Sequence, residues 1–191
     1  MSIFIVLEGI DGSGKSTVGR MILSEFRDMY LTREPTGSEA GRMAKRIAHQ
    51  TTAPYFDLFL YLADRVHHTE KIRKKLEEGI DVVCDRYWGS TAAYQAAGSD
   101  IDLRYLVDIQ RPFVLEPNIT FLFDVDPEIT LQRIQGRDDT SKYEKLEFLK
   151  HVRSNYQALA REHGWEIIDA CEDIDKVYSR VKKIIKKERG F

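Results

Sequence analysis

The sequence predicts an α/β fold built on a parallel sheet, and three observations carry that prediction. Short apolar runs alternate with segments patterned as helices, the first run is unbroken, and a glycine-rich loop joins it to the next helix. Residues 3–7, Ile-Phe-Ile-Val-Leu, suit a strand covered on both faces. In residues 16–28, Val18, Ile22, Leu23 and Phe26 fall at helical spacing. Apolar runs at 29–32, 80–84, 119–123 and 166–168 bring the strands to five. Pro54 can open a long helix carrying Leu58, Leu62, Ile72 and Leu76, which Gly79 closes. Pro127 sits near the start of another, with Ile129, Leu131 and Ile134 on it and Gly136 as its stop. The polar stretch 137–142 reads as an exposed segment between two helices, or a simple connector. In the basic tail, Val177, Val181, Ile184 and Ile185 form an apolar stripe between the charges, so the tail reads as the solvated face of a terminal helix.

A chain of 191 residues and 22.2 kDa without a linker or repeat is one domain, residues 1–191. Its 42% hydrophobic content supports a sizeable core and sets disorder aside. Lys and Arg number 29 against 31 Asp and Glu, and the net charge of −2 provides no global field for nucleic acid or an anionic membrane. Any anionic ligand has to be caught locally. Cys84 and Cys171 make no disulfide framework, and Cys84 ends an apolar run as a reduced core thiol would. No stretch approaches the ~20 apolar residues that span a bilayer, and the first residues lack a secretory pattern. The expectation is a soluble cytoplasmic protein.

Gly9-Ile10-Asp11-Gly12-Ser13-Gly14-Lys15-Ser16 matches the phosphate-binding loop pattern G-x4-G-K-[S/T], set between a buried strand and a helix start. Glycines let successive backbone N–H groups turn inward around a β-phosphate. The helix N-terminus adds partial positive charge, Lys15 neutralises β/γ oxygens, and Ser16 can ligate Mg²⁺. A second acidic site decides among nucleotide-using classes. The run ending in Asp85 places a carboxylate near the same sheet edge, able to hold Mg²⁺ directly or through water. Arg86 follows, where hydrolysing ATPases commonly carry a glutamate that activates water; an arginine suits a second anionic substrate. No Asn-Lys-x-Asp sequence for reading guanine is present. Phosphoryl transfer to a second substrate is favoured over a hydrolase or a switch.

In order along the chain, these residues resemble the thymidylate kinases, of the nucleoside monophosphate kinase group. Glu8 through Thr17 is similar to that family's phosphate loop, Thr32-Arg33-Glu34-Pro35 to its second-strand motif, and Ala63-Asp64-Arg65 to its base-contacting helix. Asp85-Arg86-Tyr87, then Ser90 and Ala93-Tyr94-Gln95, is the most specific element. The resemblance runs from residue 3 to about residue 169. It implies a three-layer P-loop kinase fold, a five-stranded parallel sheet flanked by helices, in a cytoplasmic homodimer. The implied reaction converts ATP and dTMP to ADP and dTDP with Mg²⁺, held by Ser16 and Asp85.

The resemblance also assigns roles. Gly9 to Thr17, with Arg133, would bind ATP, and Arg33 and Arg86 would clamp the acceptor phosphate. Residues 133–145 resemble the closing lid, with Arg133 and Arg137 as charge stabilisers; Gly12 stands where one class of these kinases carries a loop arginine. Tyr61 sits where the family usually stacks a phenylalanine on thymine, with a core aromatic as the competing reading, and Arg65 would donate to thymine O4. Tyr94 resembles the floor under the deoxyribose, Asp11 a carboxylate reaching the sugar or the magnesium shell, and Ser90, Thr91 and Gln95 further dTMP contacts. Asp64 is expected to orient Arg65 or face solvent. Two departures stand out. Thr36-Gly37 replaces the usual pair of glycines, and Lys142 stands where relatives often carry an arginine, whose fork a lysine does not reproduce. Another small acceptor, dUMP or a nucleoside, is the runner-up, and a non-catalytic ATP-binding switch the alternative from a different class.

Overall fold

A computed structural model describes residues 2–26, 28–47, 53–134 and 139–190, with side chains 134 and 139–144 left aside. Five strands form one parallel sheet: β1 (Phe4–Glu8), β2 (Met29–Arg33), β3 (Asp81–Asp85), β4 (Ile119–Asp124) and β5 (Glu166–Asp169), in the order β2-β3-β1-β4-β5. The α-helices among the described residues are α1 (Lys15–Glu25), α2 (Glu39–Ile47), α3 (Pro54–Glu77), α4 (Trp88–Gly98), α5 (Leu103–Asp108), α6 (Pro127–Ile134), α7 (Asp139–His163) and α8 (Ile174–Glu188). The three inner strands, β1, β3 and β4, are buried almost throughout, which is why they read as continuous apolar runs rather than alternating ones. Edge strands β2 and β5 carry the exposed Tyr30 and Ile167.

Each strand ends in a charged residue: Glu8, Arg33, Asp85, Asp124 and Asp169. Because the strands are parallel, these five ends share one edge, with Arg33 and Leu7 both in register with Asp85. Parallel α/β sheets place ligands at this edge. The apolar runs stopped one residue short of it, since a charged terminal residue still joins the ladder; the Glu34 amide even extends it, donating to the Asp85 carbonyl at 3.1 Å.

Pro54 opens α3 as expected, and Gly79 follows its end with φ +80°, a conformation that favours glycine. Residue 136, the expected stop of α6, lies outside the described residues. Residues 139–142, read as part of a polar connector, are instead the first turn of α7. Polar side chains remove the apolar periodicity that marks a helix in sequence without preventing one. The terminal helix α8 buries Val177, Val181 and Ile185 and turns its lysines outward, as its stripe predicts. Cys84 is a buried free thiol and donates to the Arg86 carbonyl at 3.0 Å.

Candidate active site

The phosphate loop joins β1 to α1. Gly9 has φ +143°, and a Cβ there would lie 2.7 Å from the Phe123 carbonyl oxygen, so only glycine lets the loop leave the sheet so close to β4. Ile10 is buried and serves through its backbone, while Gly12 and Gly14 also take positive φ. Gly14 heads α1, accepting from the amides of Thr17 and Val18 at 3.0 Å each. Lys15 is 5% exposed, and its Nζ donates to the carbonyls of Gly9 and Ile10 at 2.8 Å and to Ser13 Oγ at 3.2 Å. Burial, with Arg86 nearby, lowers its pKa to about 7 against the opposing pull of Asp85, Asp11 and Glu8. Thr17 is exposed and accepts from Arg20.

At the end of β3, Asp85 Oδ2 accepts from the Ser16 hydroxyl at 2.5 Å. The other oxygen, Oδ1, is buried with no hydrogen-bond partner among the described residues. A bare carboxylate oxygen beside a hydroxyl is a hard-oxygen donor set that fits Mg²⁺. No cluster of three or more His, Cys, Asp or Glu able to hold a metal is found among the described residues. Mg²⁺ commonly takes one or two protein ligands and completes its shell with phosphate and water, which a hydroxyl and carboxylate pair would allow.

Arg86 has φ +72°, the left-handed region that non-glycine residues rarely enter at a cost of roughly 1–3 kcal/mol. Its amide donates to the Leu7 carbonyl at 2.9 Å. The turn sends the guanidinium to Asp11 of the phosphate loop, with Nη2 at 2.6 Å from Oδ1, and to Ser90 Oγ at 3.2 Å, while Cζ lies 5.0 Å from the Tyr94 ring centre. Burial alone would raise the Asp11 carboxyl; the charges of Arg86 and Lys15 override it and hold that group below its ordinary value. Tyr94 Oη accepts from the Asp11 amide at 3.2 Å and donates to its carboxylate at 3.3 Å.

These groups open into a cavity of about 270 Å³. Asp11 and Arg86 lie at one part of its lining, and Tyr61, Arg65, Thr91, Tyr94 and Gln95 continue it. Tyr61 is therefore a half-buried wall residue rather than a core aromatic. Arg65 is 2% exposed and reaches Glu34, Thr91, Gln110 and the Tyr87 carbonyl. Glu34 in turn lies 2.8 Å from His68 Nδ1, whose Nε2 is 2.7 Å from Thr32 Oγ1.

One expectation changes, and the surroundings of two further residues are now defined. Asp64 neither orients Arg65 nor faces solvent: it is buried and accepts from the Thr36 amide and the hydroxyls of Thr36 and Ser38 at 2.5–2.7 Å. Ser90 lines the cavity, but its hydroxyl donates to Glu8 at 2.5 Å. Arg33 reaches the correct sheet edge yet is exposed and outside the cavity lining. Arg133 donates to the carbonyls of Gly12 and Ala170 at 3.3 Å, tying the phosphate loop to the segment after β5. Arg137 lies outside the described residues, and the Lys142 side chain outside those described.

Sequence reasoning gave Glu8 no role of its own. This fully buried carboxylate accepts from the amides of Tyr87 and Ser90 at 3.0 and 3.1 Å and from Tyr156 Oη at 3.2 Å. Tyr87, at the N-cap of α4, provides no side-chain cap, so Glu8 at the end of β1 caps that helix instead. Gly89 leaves the room, since a Cβ there would meet Glu8 Oε1 at 3.0 Å and Trp165 at 2.4 Å. Burial raises the Glu8 pKa, opposed by Ser90, Arg86 and Tyr87. Its position before Gly9 was visible; its partners 79 and 82 residues away were not.

Residues 7–181 match the family model described as "Thymidylate kinase". A protein of Pyrobaculum calidifontis called "Probable thymidylate kinase" is 40% identical over 187 residues, covering 96% of each chain. A "Thymidylate kinase" of Prochlorococcus marinus is 36% identical over 202 residues, again covering 96% of each. The crystal structure of thymidylate kinase from Ehrlichia chaffeensis superposes with a TM-score of 0.77 at 28% identity, covering 97% of this chain and 98% of that one. With its phosphate loop, Asp85-Arg86 turn and five-stranded parallel sheet in place, the chain belongs to the thymidylate kinase family.

Proposed function

We propose that the chain is a phosphotransferase that moves the γ-phosphoryl group of ATP to dTMP, giving ADP and dTDP. One observation carries this reading: a single cavity lined by Asp11 of the phosphate loop and Arg86 is also lined by Tyr61, Tyr94 and Arg65. A mononucleotide in it has a cation for its phosphate near the donor loop and aromatic and guanidinium groups for its base. The family match supports dTMP as that mononucleotide.

The barrier is first electrostatic. Two unit charges 4 Å apart at an effective dielectric of 20 repel by about 4 kcal/mol, and the two phosphates carry more than one pair. Lys15 neutralises donor oxygens after exchanging its carbonyl partners for phosphate. Arg86 exchanges Asp11, an exposed carboxylate, for the acceptor phosphate and aligns it for in-line attack. Arg33, exposed at the end of β2, would have to turn inward to act as a second clamp. No general base is needed, because a phosphate monoester with a second pKa near 6 is already largely dianionic at neutral pH. Ser16 and Asp85 would hold Mg²⁺, which when bound supplies charge neutralisation on the donor phosphates. Arg133 and Arg137 would add positive charge as water is excluded, and Gln95 and Thr91 complete the base site. Tyr94 fills the space a ribose 2′-hydroxyl would need.

The 191 residues act as one domain in a cytoplasmic homodimer. Exposed Tyr55, Phe56, Phe59 and Val66 on α3 support a second copy as the cover of that face. Among the described residues no helix is long and apolar enough to cross a membrane. Coupled ADP release measured with dTMP, dUMP, dCMP, dGMP and thymidine tests the reading. Turnover should be highest with dTMP; ADP formation indifferent to any acceptor would overturn it.

A further inference from the structure

Gln110 follows α5 and is 1% exposed. Its Nε2 donates to the carbonyls of Leu106 at 2.6 Å and Trp88 at 3.3 Å, and its Oε1 accepts from Arg65 Nη1. A flipped amide would set its oxygen against two carbonyls and its NH₂ against a guanidinium, so only one orientation satisfies the chemistry. The amide oxygen is thereby aimed at Arg65.

A guanidinium has five N–H donors. In Arg65 the Nε–H goes to Glu34 Oε2 at 3.0 Å, and the two Nη2 donors are shared among Glu34 Oε2 at 2.5 Å and the Tyr87 carbonyl and Thr91 Oγ1 at 3.0 Å. Gln110 takes one of the two on Nη1. One Nη1–H remains without an acceptor among the described residues, on a buried side chain that lines the cavity.

We infer that Gln110 is a positioning residue for base selection: acting through Arg65, it points that last donor at a pyrimidine oxygen at ring position 4 and so disfavours a 4-amino pyrimidine. This rests on the mononucleotide reading above. A 4-oxo base accepts the donor, whereas a 4-amino base presents N–H against N–H and leaves a buried guanidinium proton unpaired. Thymine and uracil both carry the oxygen. The device therefore separates them from cytosine and not from each other.

The test compares kcat/KM for dTMP, dCMP and dUMP in the 191-residue enzyme and in Gln110→Met, with melting curves. The dTMP over dCMP ratio should fall about tenfold or more in the variant, the scale of a lost alignment to a charged donor, while dTMP over dUMP holds. A folded variant with the original dTMP over dCMP ratio overturns the inference, and so does an equal drop on all three substrates. Should the methionine variant not fold, Gln110→Asn retains an amide but withdraws its oxygen from Arg65, and the same outcomes decide. A wild-type enzyme inactive on dTMP would overturn the inference together with the function beneath it, whereas an active one with an unmoved ratio overturns the inference alone.

Discussion

On the acceptor side, Glu8, Glu34 and Arg65 are buried, and each is held by several partners from different elements. On the donor side, Lys15 is the buried cation, and its ammonium folds back onto its own loop, while Ser16 and Arg133 are exposed. The contrast separates two ways of preparing a charged site. Fixed ion pairs pre-shape the cavity for a small, rigid acceptor and spare it the ordering cost of binding. The phosphate loop instead stores its ammonium on carbonyls that an incoming phosphate replaces.

The largest effect should come from the donor side. Lys15→Ala removes the buried cation that would both hold ATP and meet charge as it develops, so turnover should drop about 10³-fold or more with a clear loss of ATP affinity. Calorimetric titration with ATP alongside steady-state rates checks both halves. Retained ATP affinity would contradict the loop assignment.

Arg86→Ala sharpens the comparison by deleting the residue between the two sides. Turnover should fall by about 10²- to 10³-fold while ATP affinity stays within about threefold, because the guanidinium faces the acceptor. Near-normal turnover refutes its role as a clamp. Loss of ATP binding instead would mean that its pairing with Asp11 supports the loop, making the two sides one unit.

Glu8→Gln probes whether the rigid side depends on charge. The amide keeps an oxygen for the Tyr87 and Ser90 N–H groups but sets an NH₂ toward the Ser90 and Tyr156 hydroxyls. Turnover should fall about tenfold, as α4 and Arg86 lose register with the phosphate loop. Stability adds a sign. The native Glu8 pKa is raised above its ordinary value of 4.5, so between that value and the native one the folded state holds the proton more tightly than the unfolded chain. The corresponding stability is complete below 4.5 and lost as pH rises through the native pKa. Melting temperatures against pH should show that decline in the wild type and its absence in Glu8→Gln; parallel curves would falsify it.

How far such devices could be read from sequence depends on what creates them. The phosphate loop and the Asp85-Arg86 turn are local patterns whose chemistry follows from adjacent residues, and both were legible. So were the inner strands, because burial on both faces leaves an unbroken apolar run. The helical start of α7 was not, since its polar residues show no period. Nor were the roles of Asp64, Gln110 and Tyr156, which rest on contacts with Ser38, Arg65 and Glu8 that lie 26, 45 and 148 residues away and are brought together only by packing. Arg33 marks the opposite case: its motif was legible, yet its exposure on the edge strand depends on the protein around it.

The smallest expected effect lies where the chain departs from its family resemblance. Thr36, in place of a glycine, donates through Oγ1 to Asp64 at 2.5 Å and accepts from the Ser38 amide at 3.0 Å. Together with Glu34, which Arg65 grips, this pins both sides of Pro35 to α3 and so fixes the loop that follows Arg33. In Thr36→Val the Asp64 carboxylate keeps its bonds from the Thr36 amide and Ser38 but loses one hydroxyl. The loss of one hydrogen bond to a buried charge is worth about 1.5–3 kcal/mol, and at about 2–4 °C per kcal/mol for a chain this size, melting should drop by several degrees. Turnover at saturating dTMP should hold within about twofold, because Arg86 and Lys15 are untouched, while KM for dTMP rises slightly as Arg33 gains freedom. An unchanged melting temperature would mean that the hydroxyl only replaces water. A large fall in turnover would move the loop after β2 into the working parts of the site and narrow the difference between its two sides.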